Sequence, residues 1–196
     1  MLLIAVYVGY GGIKMKTHIG LFATGLLLCV QGVMAQPAER TDLQLFNDVA
    51  KAVNRYDRFT IFDDISVHVK DGAVTLEGSV TRPHKKSDIE KRVAKVSGVT
   101  SVVNTVDVLP VSLWDDQLRY RIARAIYGNT NFWSYGASAN PPIHIIVQHG
   151  RVTLSGVVQS DLDRMLAWSL VNQHGVFSVT NNLQTEAEVR EQLEHS

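Results

Sequence analysis

A ten-residue pattern is written twice in this chain. DGAVTLEGSV runs from Asp71 to Val80 and HGRVTLSGVV from His149 to Val158, a shift of 78 positions. Six of the ten aligned positions are identical: Gly72/Gly150, Val74/Val152, Thr75/Thr153, Leu76/Leu154, Gly78/Gly156 and Val80/Val158. A match of that density is not chance, and a chain that repeats itself is expected to fold as repeated units.

The flanks show how large the unit is. ISVHVK (Ile65 to Lys70) precedes the first copy and IHIIVQ (Ile143 to Gln148) the second, each apolar at every other residue. That period predicts strands with one apolar face, joined to the repeat by two-residue turns at Asp71-Gly72 and His149-Gly150. Upstream, Leu45, Val49, Ala52 and Val53 follow a helical spacing that recurs at Leu118, Ile122, Ala125 and Ile126, with Asp42 and Asp115 or Asp116 as N-caps. Downstream, Ile89, Val93 and Val96, then Leu166, Leu170 and Val171, predict a second helix that ends at Gly98 or Gly175. Last come SVVNTVDV (Ser101 to Val108) and SVTNNLQT (Ser178 to Thr185). The predicted unit is helix, strand, strand, helix, strand, with the third strand parallel to the second and both helices on one sheet face.

An αββαβ order carrying xDGxVTLxGxV, a helix, GVxSVxN and an export signal resembles the BON domain, found in tandem in osmotically inducible periplasmic proteins. The similarity spans nearly all of residues 42 to 185, although the second copy has His149 for the turn aspartate and one residue fewer before Gly175. The resemblance implies an α+β chain of two tandem domains, each a three-stranded mixed sheet, at 42–109 and 115–185. A linker at 110–114 and an acidic tail at 186–196 complete the expected organisation. The resemblance also implies a non-enzymatic envelope protein associated with stress tolerance, outer-membrane integrity and phospholipid contact.

Composition narrows the partners. With 19 basic and 19 acidic residues the chain has no net charge to draw it toward nucleic acid. From Met15, a short basic start, an apolar run and Val33-Met34-Ala35 read as a secretory signal cleaved after Ala35, with Met15 the expected start and residues 1–35 lost. The apolar run from Ile19 to Val30 is too short to span a bilayer, so the expected location is the periplasm. Cleavage removes Lys14 and Lys16, lowering the basic count to 17 against 19 acidic residues, and also the only cysteine, Cys29. No disulfide can form in what remains, and each domain must stand on its apolar core.

No catalytic pattern is present. The sequence has no H-E-x-x-H, no G-x-S-x-G and no P-loop, and no metal or cofactor is expected. His68 and His144 are expected on solvated strand faces, and His84, Lys85, Lys86, Lys91, Arg92 and Lys95 on a solvated helix. Gly78 and Gly156 lie within strands, where a bulge or close packing against a helix explains them more simply than a ligand.

The copies differ most between the first helix and first strand. YDRFTIFDD (Tyr56 to Asp64) becomes YGNTNFWSYGASANPP (Tyr127 to Pro142), a longer segment rich in Phe132, Trp133 and Tyr135. Just before it, Arg119, Arg121 and Arg124 avoid the core positions Leu118, Ile122 and Ile126. Arginine beside exposed aromatic rings suits an anionic phospholipid surface. In the alternative arrangement, Phe132 and Trp133 cover the core and the arginines pair with carboxylates such as Asp115. Trp114 is expected to wedge between the domains. Another envelope protein is the rival partner, and the sequence does not specify an oligomeric state.

Overall fold

The computed structural model describes residues 41–138, 140–172 and 175–194. The signal segment and His174 lie outside the described residues. The first unit is α1 (Asp42–Asn54), β1 (Asp64–Lys70), β2 (Ala73–Val80), α2 (Pro83–Val93), β3 (Ser101–Asn104) and β4 (Asp107–Val108). The second is α3 (Leu113–Tyr127), a 3-10 turn at Thr130–Phe132, α4 (Trp133–Gly136), β5 (Ile143–Gln148), β6 (Arg151–Val158), α5 (Asp161–Asn172) and β7 (Ser178–Thr185), followed by α6 (Glu186–Glu194). In each unit the first two strands pair antiparallel and the third joins the second in parallel, as the repeat predicts.

The predicted alternation places Ile65, Val67, Val74, Leu76 and Val80 under Leu45, Val49, Val53, Ile89 and Val93. Their counterparts Ile143, Ile145, Val147, Val152, Leu154 and Val158 meet Leu118, Ile122 and Ile126 in a second core. On α5 the fully buried residues are Ala167 and Val171, while Leu166 and Leu170 are only partly buried. Among the described residues, both cores are drawn from positions beyond 44, all of which the chain from Gln36 onward retains.

Three local devices recur in both units. Asp71 and His149 have φ of 49° and 52° and are followed by Gly72 and Gly150 at 77° and 73°, the paired positive φ of a tight hairpin. The first-turn aspartate of the preceding helix grips this turn. Asp42 accepts from the amides of Asp71 and Gly72, and Asp115 from those of His149 and Gly150. These aspartates are therefore not N-caps as expected. Thr41 caps α1 in a reciprocal pair with Gln44, and Ser112 caps α3. Finally, the asparagine of S-V-x-N ties the third strand to the second helix: Asn104 donates to the Lys86 carbonyl and Asn181 to that of Arg164.

Two expectations change at the third strand. In the first unit it is broken, because Thr105 turns both its amide and its hydroxyl onto the Leu76 carbonyl and Val106 is buried. In the second it runs unbroken into α6, which a Thr185–Glu188 capping pair starts and the buried Val189 holds. T-x-x-E was legible as a cap, and the tail is a docked helix.

Gly78 and Gly156 adopt φ of 116° and 122°, and what crowds them is the backbone at the start of the neighbouring strand, not a helix. A Cβ on Gly156 would lie 1.8 Å from the Pro142 carbonyl oxygen, and one on Gly78 2.2 Å from that of Asp64. Gly156→Ala is expected to cost about 2–4 kcal/mol from strain and overpacking together. Gly175→Ala, with no atom of the described residues within 4 Å of the added carbon, is expected to cost only about 1 kcal/mol for its positive φ. Urea denaturation of the two variants measures the contrast.

Candidate functional site

The inserted loop of the second unit is half core and half surface. Phe132 is fully buried, and Tyr135 is buried beside it with ring centroids 5.5 Å apart. The Tyr135 hydroxyl donates to Asp163 and accepts from the Gln159 amide. Burial pushes its pKa up to about 12, so it remains a proton donor at neutral pH. Tyr127 closes the loop's base through both backbone groups of Ile143. Against these anchors Trp133 turns outward, 77% exposed. Of the three rings expected at the surface only Trp133 is exposed, whereas Phe132 and Tyr135 position the loop from inside.

The arginines divide in the same way. Arg119, expected at the surface, is only 4% exposed. Its guanidinium donates to the Val147 carbonyl and pairs with Asp116, pinning α3 to the end of β5. Arg121 and Arg124 lie together along an open groove of about 280 Å³ that Tyr120 also lines. Arg121 stacks at 5.4 Å over Trp114, so Trp114 is an exposed partner of a cation and not a wedge between units. Seven residues apart on α3, the two share one face. On α5, which packs beside α3, Leu162, Met165 and Trp168 are also exposed. Their spacing of three was readable as an apolar stripe, but it competes with the core stripe of the same helix.

The shorter loop of the first unit reaches the second, and Asn140 in the longer loop of the second donates in return to the Asn54 carbonyl of α1. Ile61 and Phe62 pack against the second core. The Ile61 carbonyl accepts from the Ile145 amide at 2.7 Å, so the loop covers the edge of β5. Phe62 meets Tyr120 edge-on, and Phe59 lies 5.5 Å from the His144 ring. His144 Nδ1 is 2.6 Å from the Asp63 carbonyl, which places this histidine at the junction and not on a solvated face.

Asp63 holds that loop in shape. Its carboxylate is fully buried and accepts from the amide and hydroxyl of Thr60, the amide and hydroxyl of Thr81, and Lys85 Nζ at 2.6 Å. Lys85, expected in solvent, is therefore part of the interior. Burial alone raises the Asp63 carboxyl, but the bonds from Lys85, Thr81 and Thr60 outweigh it and hold the group below its ordinary value. Aligned by the hairpin shift, Lys85 corresponds to Asp163. Both positions pin the loop of their own unit, one through Asp63 and the other through Tyr135.

The glycines Gly72, Gly78, Gly150 and Gly156 serve the backbone. Among the described residues no three His, Cys, Asp or Glu side chains are placed to hold a metal ion, and no helix is long and apolar enough to cross a membrane.

The model of the BON domain family matches the chain twice, over residues 41–110 and 115–187. No curated protein matches it. Two similar solved structures both come from CdsD, a structural protein of the type III secretion system of Chlamydia trachomatis. The first is 15% identical, with 76% of this chain and 97% of that chain covered and a TM-score of 0.26. The second, the C-terminal domain, is 13% identical, with 74% and 98% covered and a TM-score of 0.27.

Asp63→Ala leaves Lys85 charged and buried without its partner and is expected to cost about 3–5 kcal/mol. Lys85→Met keeps the threonine donors and should cost less. Because the folded Asp63 pKa lies below its unfolded value, its contribution is present above the ordinary carboxylate range and is lost as pH falls through the depressed value. Chemical denaturation of wild type and Asp63→Ala between neutral and acid pH is expected to show the difference shrinking with acidity.

Proposed function

The chain belongs to the BON domain family, and from that premise we propose an exported, non-enzymatic envelope-binding protein that docks on anionic phospholipid through its second domain. BON domains are non-catalytic binding modules associated in general with membranes and phospholipid. Through that contact the protein supports envelope integrity under osmotic stress.

The observation that carries this reading is the outward turn of Trp133 from a loop whose other aromatic residues are locked inside. Arg121 and Arg124 supply cations at the groove, each contributing on the order of 1 kcal/mol near an anionic surface. Trp114 brings an indole to Arg121, pairing a guanidinium that can donate hydrogen bonds to phosphate with a ring suited to the interface. Leu162, Met165 and Trp168 add apolar area on the neighbouring helix. Two cations and a few shallow rings favour weak, reversible docking over permanent anchoring.

Vesicle flotation of residues 36–196 tests this. The protein is expected to float with anionic and not neutral vesicles, less as salt shortens the screening length. Arg121→Glu and Trp133→Ser should each reduce flotation while circular dichroism stays unchanged. A folded protein that does not float with anionic vesicles at low salt would sink the lipid reading and leave a protein partner in the envelope.

A further inference from the structure

A second recess lies where the two domains meet, away from the Trp133 loop, with a volume of about 560 Å³. That is within the range of roughly 300–1,000 Å³ typical of small-molecule sites. The start of β1 contributes Asp64 and Ser66, the outward side of the second sheet Ser155, Asn182 and Gln184. At one end Arg164 on α5 meets Glu188 on α6 at 2.9 Å. Neither domain forms the recess alone.

Its chemistry is polar and under-used. Ser155 is 9% exposed, and its Oγ has no hydrogen-bond partner among the described residues. The Asp64 carboxylate makes no hydrogen bond or ion pair among the described residues. Leaving a buried hydroxyl unpaired costs free energy that a bound polar group would recover. We propose that this interdomain recess binds a neutral, polyhydroxylated molecule of saccharide size.

The lining disfavours anionic and apolar ligands. Among the described lining residues an anion finds no free cation, because Arg164 is committed to Glu188 and Asp161, and the carboxylates outnumber it. An apolar ligand would strand the hydroxyls and carboxamides. Carboxylate and carboxamide groups each present two polar atoms side by side, suited to neighbouring hydroxyls on one ring, and serine hydroxyls both donate and accept. Because both domains contribute, an occupant would favour the arrangement in which they meet.

Nuclear magnetic resonance titration of isotope-labelled residues 36–196 tests the site with trehalose, a free disaccharide, and chitobiose, a glycan fragment. The expected result is saturable shifts in the side-chain amides of Asn182 and Gln184 and the backbone amides of Ser66 and Ser155. Saturation by trehalose alone assigns a free solute; saturation by chitobiose assigns a glycan. Asp64→Ala and Asn182→Ala should each weaken binding about tenfold, as loss of one hydrogen bond to a charged or well-placed group does. Trp133→Ser should leave it unchanged, which separates this site from the membrane surface. The proposal is overturned if neither saccharide shifts these resonances saturably, if spermidine saturates the recess and the saccharides do not, or if Asp64→Ala and Asn182→Ala both bind as wild type does.

Discussion

In each domain one carboxylate at the start of a helix accepts the two amides of a hairpin turn, Asp42 at Asp71-Gly72 and Asp115 at His149-Gly150. The turn has positive φ at both residues and leaves its amides pointing out of the hairpin, where they need an acceptor. Meeting that need fixes where the helix enters relative to the strands. A slip of one residue in the hairpin would move every core side chain to the opposite face, so the apolar pattern and this polar contact enforce the same register. The turn aspartate itself is dispensable, as His149 shows, because it is the backbone that is recognised.

Once the frame is set, the two copies spend the same position differently. Lys85 closes the first domain's loop by pairing with Asp63, and Asp163 closes the second's through Tyr135. The first arrangement yields a short loop whose Ile61 and Phe62 cover the second domain's edge strand. The second yields a longer loop that keeps Trp133 in solvent. The two loops thus differ in what they expose: the first packs Ile61 and Phe62 against the neighbouring core, and the second leaves Trp133 in solvent.

Arg119, Arg121 and Arg124 show where sequence reading reaches its limit. On a helical wheel all three avoid the core stripe, yet Arg119 is interior because the end of β5 offers it the Val147 carbonyl and α3 offers Asp116. Lys85 went inside for the same reason, its partner lying 22 residues earlier in the chain. A buried charge needs an acceptor from elsewhere, and no local pattern records one. The capping pairs Thr41–Gln44 and Thr185–Glu188 were, by contrast, local and readable.

The sequence by itself determined the repeat, the alternation and helical spacing that build two αββαβ cores, the glycines at the turns, and the aromatic excess in the second domain's loop. These are short-range properties of backbone geometry and apolar periodicity. Tertiary structure alone decided which aromatic ring of that loop is left in solvent, which arginine is drawn inside, and that a polar recess opens between the domains. Arg119 and Tyr135 are held inside because a distant carbonyl or carboxylate lies within about 3 Å, the reach of a hydrogen bond.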